Sequence, residues 1–245
     1  AETIDRRALV TAFSPTLNSI DMRSPFTLGN GKFAFTADVT GLQSFGNVYY
    51  AAGFPLETKA RWAWHTKPSK AYNLADVDEE YTAYNRKVQF PTRTNTPAAE
   101  WLRQNPHDLP LGRIGLLLDG QTIDVKKITN VQQQLDLWNG KLSSRYSLDD
   151  KTVFVESAAH ASRDAIGFRI NSPLTKVQRL SVQFRFPRGY EFAVKNTPDI
   201  AWSNDQEHTT SIRSQTKQSI LLERKVDDEV FTMAIHWQGE AIVKQ

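Results

Sequence analysis

The sequence contains no cysteine and no long apolar segment. Its 245 residues include only two methionines and 40% hydrophobic residues. The absence of cysteine excludes disulfides, thiolate metal ligands and a cysteine nucleophile. A membrane-spanning helix needs about 18 consecutive apolar residues, and no stretch of the sequence reaches that length. We therefore predict no membrane span and no disulfide framework.

The sequence has little net charge. The net charge is +3, and no run of consecutive Lys and Arg concentrates it. A nucleic-acid-binding domain usually carries a basic stripe or patch, so no nucleic-acid partner is expected. The histidines lie far apart and lack the spacing of metal ligands, so we predict neither a metal nor a cofactor. They are His65, His107, His160, His208 and His236.

Alternation of apolar and polar residues is the main signal in the chain. The alternation is clear over residues 179–186 and 231–238. A period of two residues is typical of a half-buried antiparallel strand. Residues 219–226 precede the second run, and Asp227-Asp228-Glu229 between them predicts a hairpin. Asp149-Asp150 marks another hairpin. Further strands are predicted at 9–13, 33–39, 113–118, 131–137, 141–148, 151–156 and 165–170.

Many strands without alternating helices predict an all-β fold, a large two-sheet antiparallel β-sandwich. We expect residues 1–245 to form a single domain with a long loop-rich insertion at 53–111. This insertion is rich in proline and aromatic residues, which favours an ordered segment that covers one side or end of the sandwich. It holds one predicted short helix, with Thr96 as N-cap, Pro97 at the first position and Asn105-Pro106 as the stop.

A Gly-Asn-Gly turn lies between two apolar, β-prone runs. Gly29, Asn30 and Gly31 follow Phe26-Thr27-Leu28 and precede an aromatic strand. Glycine adopts positive φ without steric cost, and asparagine tolerates it. The pattern predicts a tight connection between two strands.

Two motifs carry a resemblance to a known group of proteins. The first is Leu28-Gly29-Asn30-Gly31; the second is the Leu-Asp-Leu, Gly and Leu-Ser pattern within residues 134–146, followed by Val153-Phe154-Val155-Glu156 and His160. They resemble the N-terminal domain of the maltose, trehalose and kojibiose phosphorylase family of glycoside hydrolases. The resemblance implies a galactose-mutarotase-like supersandwich that precedes an (α/α)6 catalytic barrel.

The resemblance implies a non-catalytic domain that packs on this barrel and helps to shape its sugar site. In the family, the barrel supplies the catalytic carboxylic acid, so we expect a barrel after residue 245 as the intramolecular partner. Residues 62–118 depart from the phosphorylases and are more similar to a related group of bacterial exported proteins. The chain also starts at Ala1-Glu2-Thr3, so we expect a periplasmic or secreted location.

The candidate carbohydrate-binding residues fall in and beside the insertion. If residues 62–65 are extended, Trp62 and Trp64 point to one side and His65 to the other. Indole faces pack well on sugar C–H groups, but the more common role of such tryptophans is to anchor the insertion on the sandwich. Asn105, His107 and Arg113 could form directional hydrogen bonds to sugar hydroxyls. Alternatively, Asn105 is an ordinary helix stop and Asp108 merely orients His107.

Two other functions remain open from the sequence. The chain could be an independent carbohydrate-binding module that uses Trp62 or Trp64. It could also be a mutarotase-like aldose epimerase, in which His107 or His160 acts with Glu156 as acid and base. No catalytic residue is assigned, because the acidic group Asp76, Asp78, Glu79 and Glu80 is expected in a solvated loop.

Overall fold

The structure is a computed structural model that describes residues 4–68, 72–191, 199–202 and 207–244. Strands make up 45% of it and helices 14%. Adjacent strands are antiparallel in each of its sheets. The predicted fold class, an all-β antiparallel sandwich-like fold, is therefore confirmed.

The strands in chain order are β1 (Thr16–Leu17), β2 (Phe26–Gly29), β3 (Phe33–Ala37), β4 (Thr58–Ala60), β5 (Trp64–His65), β6 (Asp78–Ala83), β7 (Arg86–Pro91), β8 (His107–Asp108), β9 (Arg113–Leu118), β10 (Gln121–Thr122), β11 (Thr129–Asp136), β12 (Lys141–Leu148), β13 (Lys151–Ala159), β14 (Ile166–Asn171), β15 (Leu180–Arg185), β16 (Gly189–Tyr190), β17 (Ile200–Ala201), β18 (His208–Gln215), β19 (Ser219–Val226) and β20 (Glu229–His236). The α-helices are α1 (Arg6–Thr11), α2 (Gly46–Ala51), α3 (Pro97–Gln104) and α4 (Pro173–Lys176), and 3-10 turns cover Leu74–Val77 and Val125–Lys127.

The chain divides into two compact units. Unit 1 comprises Ala1–Ala63 and Pro110–Arg185, and unit 2 comprises Trp64–Leu109 and Phe186–Gln245. Unit 1 holds the five-stranded sheet β1-β11-β12-β13-β14 and the sheets β10-β9-β15 and β2-β3-β4. Unit 2 holds β18-β19-β20 and the pairs β5-β8, β6-β7 and β16-β17. The single domain with an insertion at 53–111 stays a prediction, and residues 64–109 of that insertion belong to unit 2.

Unit 1 has a continuous apolar core between two sheets. Alternate residues of β12 and β13 are buried, as the period of two requires. They form one cluster with residues of β9 and β15, so the five-stranded and three-stranded sheets pack face to face. The cluster contains Val39, Leu42, Phe45, Tyr49, Leu56, Leu116, Leu118, Ile123, Ile128, Val131, Tyr146, Leu148, Val153, Val155, Leu174 and Leu180.

A buried carboxylate organises the loop that leads from β3 to α2. Asp38 accepts hydrogen bonds from the amides of Thr40 (2.8 Å) and Phe45 (2.7 Å) and is fully buried. Burial raises the pKa of Asp38 to about 6. The same loop pairs with the edge of β9, because the Gln43 amide donates to the Ile114 carbonyl at 2.7 Å. Asp38 thus positions the start of α2 against β9.

The Gly-Asn-Gly turn joins β2 to β3, as predicted. The Asn30 side-chain oxygen accepts from the amides of Lys32 and Phe33, each at 2.9 Å. Gly31 has a positive φ of 84°. Gly29 is required for a different reason, since a Cβ there would overlap the Phe33 carbonyl oxygen. The turn is therefore a folding element whose two glycines satisfy different steric demands.

The predicted helix of the insertion is confirmed as α3. The Thr96 hydroxyl accepts from the Ala99 amide at 3.1 Å, and Pro97 occupies the first turn. The rest of 53–111 contains more regular structure than predicted, since β6 and β7 form a hairpin. The acidic group at 76–80 lies on the 3-10 turn and β6 rather than in a loop.

The predicted strand at 9–13 is wrong, because residues 6–11 form α1. Asp5 caps this helix by accepting a hydrogen bond from the Ala8 amide at 3.0 Å. The other predicted strands correspond to observed strands, and three of them have the observed bounds: 113–118 (β9), 141–148 (β12) and 219–226 (β19). A short apolar run is compatible with a strand or a helix, and the Asp5 cap decides for the helix.

Candidate functional site

Trp62 lies on the surface of unit 1 with its indole fixed. Its side chain is 52% exposed, and the indole Nε1 donates to Oδ2 of Asp164 at 2.8 Å. Arg61 precedes it, and the Arg61 amide donates to the Lys32 carbonyl at 2.7 Å. Trp62 therefore occupies a defined place beside the β2–β3 turn. We call Asn30, Lys32, Arg61, Trp62, Arg163 and Asp164 the Trp62 surface.

Asn30 connects the β2–β3 turn to the loop that holds Asp164. Its side-chain nitrogen donates to the carbonyls of His160 (2.9 Å) and Arg163 (3.0 Å). Nδ1 of His160 in turn accepts from the Ser162 and Arg163 amides. Because the loop is fixed at these points, the Asp164 carboxylate that orients Trp62 is held in place as well.

The chemistry of the Trp62 surface suits a ligand with both apolar and hydroxyl groups. An indole packs on the C–H face of a sugar ring. The neighbouring charged side chains are exposed and can exchange hydrogen bonds with hydroxyls. They are Lys32, Arg61, Arg163 and Asp164.

Trp64, His65 and His107 belong to unit 2, on the pair β5-β8. Trp64 lies opposite Asp108, and His65 lies opposite His107. Trp64 is 53% exposed, whereas both histidines are buried. The predicted extended run 62–65 is confirmed only for Trp64 and His65, since Arg61 and Trp62 form a turn.

His65 lies between two carboxylates of unit 2. Its Nε2 is 3.0 Å from Oδ2 of Asp227, and its Nδ1 is 3.4 Å from Oε2 of Glu229. Neither ring nitrogen has hydrogen-bond geometry to these carboxylate oxygens. Asp227 and Glu229 flank the β19–β20 turn, which brings both acids to one imidazole.

The contacts of Asp227 extend into a network of charges in unit 2. Nη2 of Arg188 is 3.2 Å from Oδ2 of Asp227, and its Nη1 is 3.0 Å from Oε2 of Glu207. The Arg188 side chain is only 14% exposed. Arg188 thus joins the β19–β20 turn to Glu207 within unit 2.

His107 is buried beside His65. The two imidazole rings meet edge to face with centroids 5.4 Å apart, and the Tyr190 ring lies 5.8 Å from that of His107. Nδ1 of His107 is 3.0 Å from the Gln104 carbonyl, and Nε2 is buried without a partner among the described residues. Burial lowers the pKa of His107, so the neutral ring is favoured.

Asn105 has a structural role in the described part of unit 2. Its side-chain oxygen accepts from the Lys67 amide at 2.8 Å, and its nitrogen donates to the Trp101 carbonyl at 2.9 Å. Both groups therefore connect the end of α3 to the segment after β5. Nδ1 of His107 faces the carbonyl of Gln104, and an orienting role of Asp108 stays a prediction.

Arg113 is the candidate that lies deepest in unit 1. It is 7% exposed, and its Nη1 donates to Oδ1 of Asn47 at 3.2 Å. The six candidates thus fall into two groups. Trp62 and Arg113 lie in unit 1, whereas Trp64, His65, Asn105 and His107 lie in unit 2.

Glu156 has the contacts of a structural ion pair. Its Oε1 is 2.7 Å from Nζ of Lys141, and its Oε2 is 3.2 Å from Nη1 of Arg169. The hydrogen bond from Lys141 is the main cause that lowers the pKa of Glu156. The structure records no contact of Glu156 with His160, whose Nδ1 accepts from backbone amides.

Sequence reasoning missed Asp164, Asp227 and Glu229 as members of these clusters. In the sequence, Asp227 and Glu229 indicated only a turn between two strands, and no pattern singled out Asp164. Nothing local reveals their partners, because Asp164 is 102 positions from Trp62. The loop after β13 and the β19–β20 hairpin bring them to their partners only in the folded chain.

No protein-family model and no curated protein matches the chain. Among the described residues, no three side chains of the His, Asp and Glu types form a metal-binding group. In the described segments, no helix combines the length and the apolar character needed to cross a membrane.

Proposed function

We propose that the chain is a non-catalytic β-sandwich domain of a carbohydrate-active enzyme and contacts sugar through the Trp62 surface. One observation carries the proposal: the half-exposed Trp62 indole is fixed by Asp164 at 2.8 Å. A fixed aromatic side chain loses little conformational entropy on binding. Exposed charged groups beside it supply the polar contacts that orient a saccharide.

The proposal also includes a catalytic (α/α)6 barrel, which the resemblance to the phosphorylase family implies. Leu28-Gly29-Asn30-Gly31 and the motif at 134–146 resemble the domain that precedes an (α/α)6 barrel in the phosphorylase family. The β2–β3 turn of the first motif also holds the loop of Asp164. The same element therefore supports both the fold and the Trp62 surface. An exported, periplasmic or secreted, location belongs to this proposal as well.

The test is calorimetric titration of the chain with a panel of neutral oligosaccharides. We expect binding to at least one of them, and we expect Trp62→Ala to weaken it by about 10-fold or more. Trp138→Ala is the matched control, since Trp138 is an exposed tryptophan of unit 1 at 45%. The proposal that the Trp62 surface binds sugar would be overturned if no sugar gave binding heat, or if both variants lost the same affinity.

A separate measurement addresses the catalytic partner. The coding sequence beyond residue 245 is expected to encode a helical barrel with an acidic residue in its core. A reading frame that encodes an unrelated domain would contradict the enzyme assignment but leave sugar binding open. In that case, a chain that binds a sugar of the panel would be an independent carbohydrate-binding module.

A further inference from the structure

The β6-β7 hairpin of unit 2 is a regular two-stranded element. All residues of the two strands pair in consecutive register, from Asp78 to Ala83 in β6. The turn consists of Tyr84 and Asn85, whose φ values are 50° and 62°. Positive φ at both turn positions is typical of a type I′ turn, whose twist matches that of the strands. The two faces of the hairpin are therefore well defined.

The two faces of this hairpin differ in chemistry. Side chains alternate between the faces along each strand, and directly opposed residues share a face. One face is mainly polar and consists of Asp78, Glu80, Thr82, Lys87, Gln89 and Pro91. The other face, which we call the apolar hairpin face, consists of Glu79, Tyr81, Ala83, Arg86, Val88 and Phe90.

The apolar hairpin face is exposed, and its aromatic side chains are held by local contacts. Tyr81 and Phe90 are both exposed, and their ring centroids are 6.0 Å apart. The Tyr81 hydroxyl donates to Oε2 of Glu79 at 2.9 Å and lies 2.7 Å from the Thr92 hydroxyl. Every residue of β6 and β7 is at least partly exposed. A two-stranded hairpin is marginally stable in water until a further layer covers its apolar face, so this face favours a partner.

Charges of opposite sign lie at the two ends of the apolar hairpin face. Glu79 lies at the base, and Arg86 lies beside the turn, about 13 Å further along the strands. Hydrogen bonds from Thr92 and Tyr81 lower the pKa of Glu79, and the charge of Arg93 contributes less. Both hydrogen bonds reach Oε2, and a carboxylate has further acceptor capacity at its second oxygen. The face therefore carries an anionic end and a cationic end.

We propose that the apolar hairpin face packs against the same face of a second copy of the chain, with the two hairpins antiparallel. A two-fold axis between the faces, perpendicular to the strands, places the tip of each hairpin over the base of the other. Arg86 of each copy then comes within reach of Glu79 and of the Phe90 ring in the other copy, which allows an ion pair and a cation–π contact. The parallel arrangement would bring like charges to the same end. Charge complementarity therefore favours a second copy in the antiparallel direction.

The size of the face determines the expected strength of the dimer. A standard protein–protein interface buries about 800 Å² per partner and involves about 20 to 30 residues a side, whereas this face has six side chains. The dimer should therefore be weak, with a Kd of about 100 μM. Sedimentation velocity of the whole chain between about 5 and 500 μM should show a mass that rises with concentration.

Arg86→Glu is the decisive variant because Arg86 is exposed and the change replaces attraction between copies by repulsion. We expect it to weaken dimerisation by about 10-fold or more. Lys87→Glu is the matched control, with the same change of charge at the next residue on the polar face. It removes an exposed ion pair with Glu80, which contributes little, and should dimerise as the unaltered chain does.

A mixture of two variants tests the direction of packing. Glu79→Arg should dimerise poorly by itself, for the same reason as Arg86→Glu. In an equimolar mixture of the two variants, each copy of one offers the charges that the other lacks, so the heavier species should return.

The proposal is overturned if the chain stays monomeric at about 500 μM, or if Arg86→Glu and Lys87→Glu change the association equally. A mixture that associates no better than its two components would contradict the antiparallel arrangement.

Discussion

Unit 1 and unit 2 differ in the side chains that they bury. The core of unit 1 is one cluster of apolar side chains between two sheets, with Leu148 and Val153 fully buried. In unit 2 the buried residues include His65, His107 and Arg224. Burial of a leucine contributes about 2 kcal/mol through the hydrophobic effect, whereas burial of a charge is unfavourable unless it is compensated.

Arg224 shows how unit 2 compensates the unfavourable burial of a charge. It is 1% exposed, and burial lowers its pKa to about 10. Its guanidinium donates to the Pro187 carbonyl at 2.6 Å and to the Thr210 hydroxyl at 2.8 Å, and it lies over the Phe186 ring. Neutral oxygens and an aromatic face thus solvate the cation. Hydrogen bonds compensate a buried charge in both units, that of Asp38 in unit 1 and that of Arg224 in unit 2, but in unit 1 the buried charge lies beside an extensive apolar core.

The largest expected effect is on the apolar core. Leu148→Ala should lower the free energy of unfolding by about 4 kcal/mol, because it leaves a cavity in a fully buried position. Urea unfolding followed by circular dichroism measures it. Leu137→Ala is the control, since Leu137 is 43% exposed, and a loss as large as that of Leu148→Ala would contradict the view of unit 1 as core-dominated.

The next effect separates the packing of Arg224 from its charge. Arg224→Ala should cost about 3 kcal/mol, because it removes buried side-chain volume and leaves the Pro187 carbonyl without its donor. Arg224→Met keeps most of the volume and removes a buried charge, so it should cost only about 1 kcal/mol. Hydrogen exchange of unit 2 peptides gives both values. Equal losses would show that the hydrogen bonds dominate.

Lowering the pH should change the stabilities of the two units in opposite directions. The pKa of Asp38 is raised to about 6, so folded unit 1 binds a proton more readily than the unfolded chain between about pH 4 and about pH 6. Its stability therefore rises as the pH falls through this window, by up to about 3 kcal/mol. The pKa of His107 is lowered, so its contribution to unit 2 is present above about pH 6.5 and is lost as the pH falls below it.

Hydrogen exchange at several pH values above about pH 4 tests these slopes. Asp38→Asn should remove the rise in unit 1, and His107→Gln should remove the fall in unit 2. If both units changed stability in the same direction, or if the variants kept the slopes, these two buried groups would not be the cause.

The smallest effect concerns the turn that supports the Trp62 surface. Asn30→Ala removes the side-chain bonds to the loop of Asp164 and should cost about 1 kcal/mol. It should also weaken sugar binding, because the loop that orients Trp62 is released. The chain has six tryptophans, so the emission of Trp62 is taken as the difference between the chain and its Trp62→Phe variant, measured with and without Asn30→Ala. An unchanged emission spectrum would mean that the loop is held without Asn30.

Local patterns predicted elements of both units. β15 and β20 follow from alternation, the β12–β13 hairpin follows from the Asp149-Asp150 turn, and α3 of unit 2 follows from Thr96 and Pro97 as cap and first residue. These signals succeed because they act over a few residues. The run at 9–13 failed because its short apolar stretch has no period that separates helix from strand.

The candidate sites were predictable only in part. The pattern identified Trp62, Trp64 and His65, and the structure leaves both tryptophans exposed and buries His65. It did not identify Asp164 or Asp227, because an aspartate after a strand is most often an ordinary turn residue. The function inferred from the resemblance stays a prediction until sugar binding is measured.

The sequence by itself determined several of the strands, the helix capped by Thr96 and the Gly-Asn-Gly turn, since alternation, capping and positive φ are properties of neighbouring residues. The tertiary structure alone decided that Trp62 meets Asp164, that His65 lies between Asp227 and Glu229, and that Arg113 faces Arg185. These contacts join positions far apart in the chain. Their geometry comes from sheet register and loop packing, which no local pattern encodes.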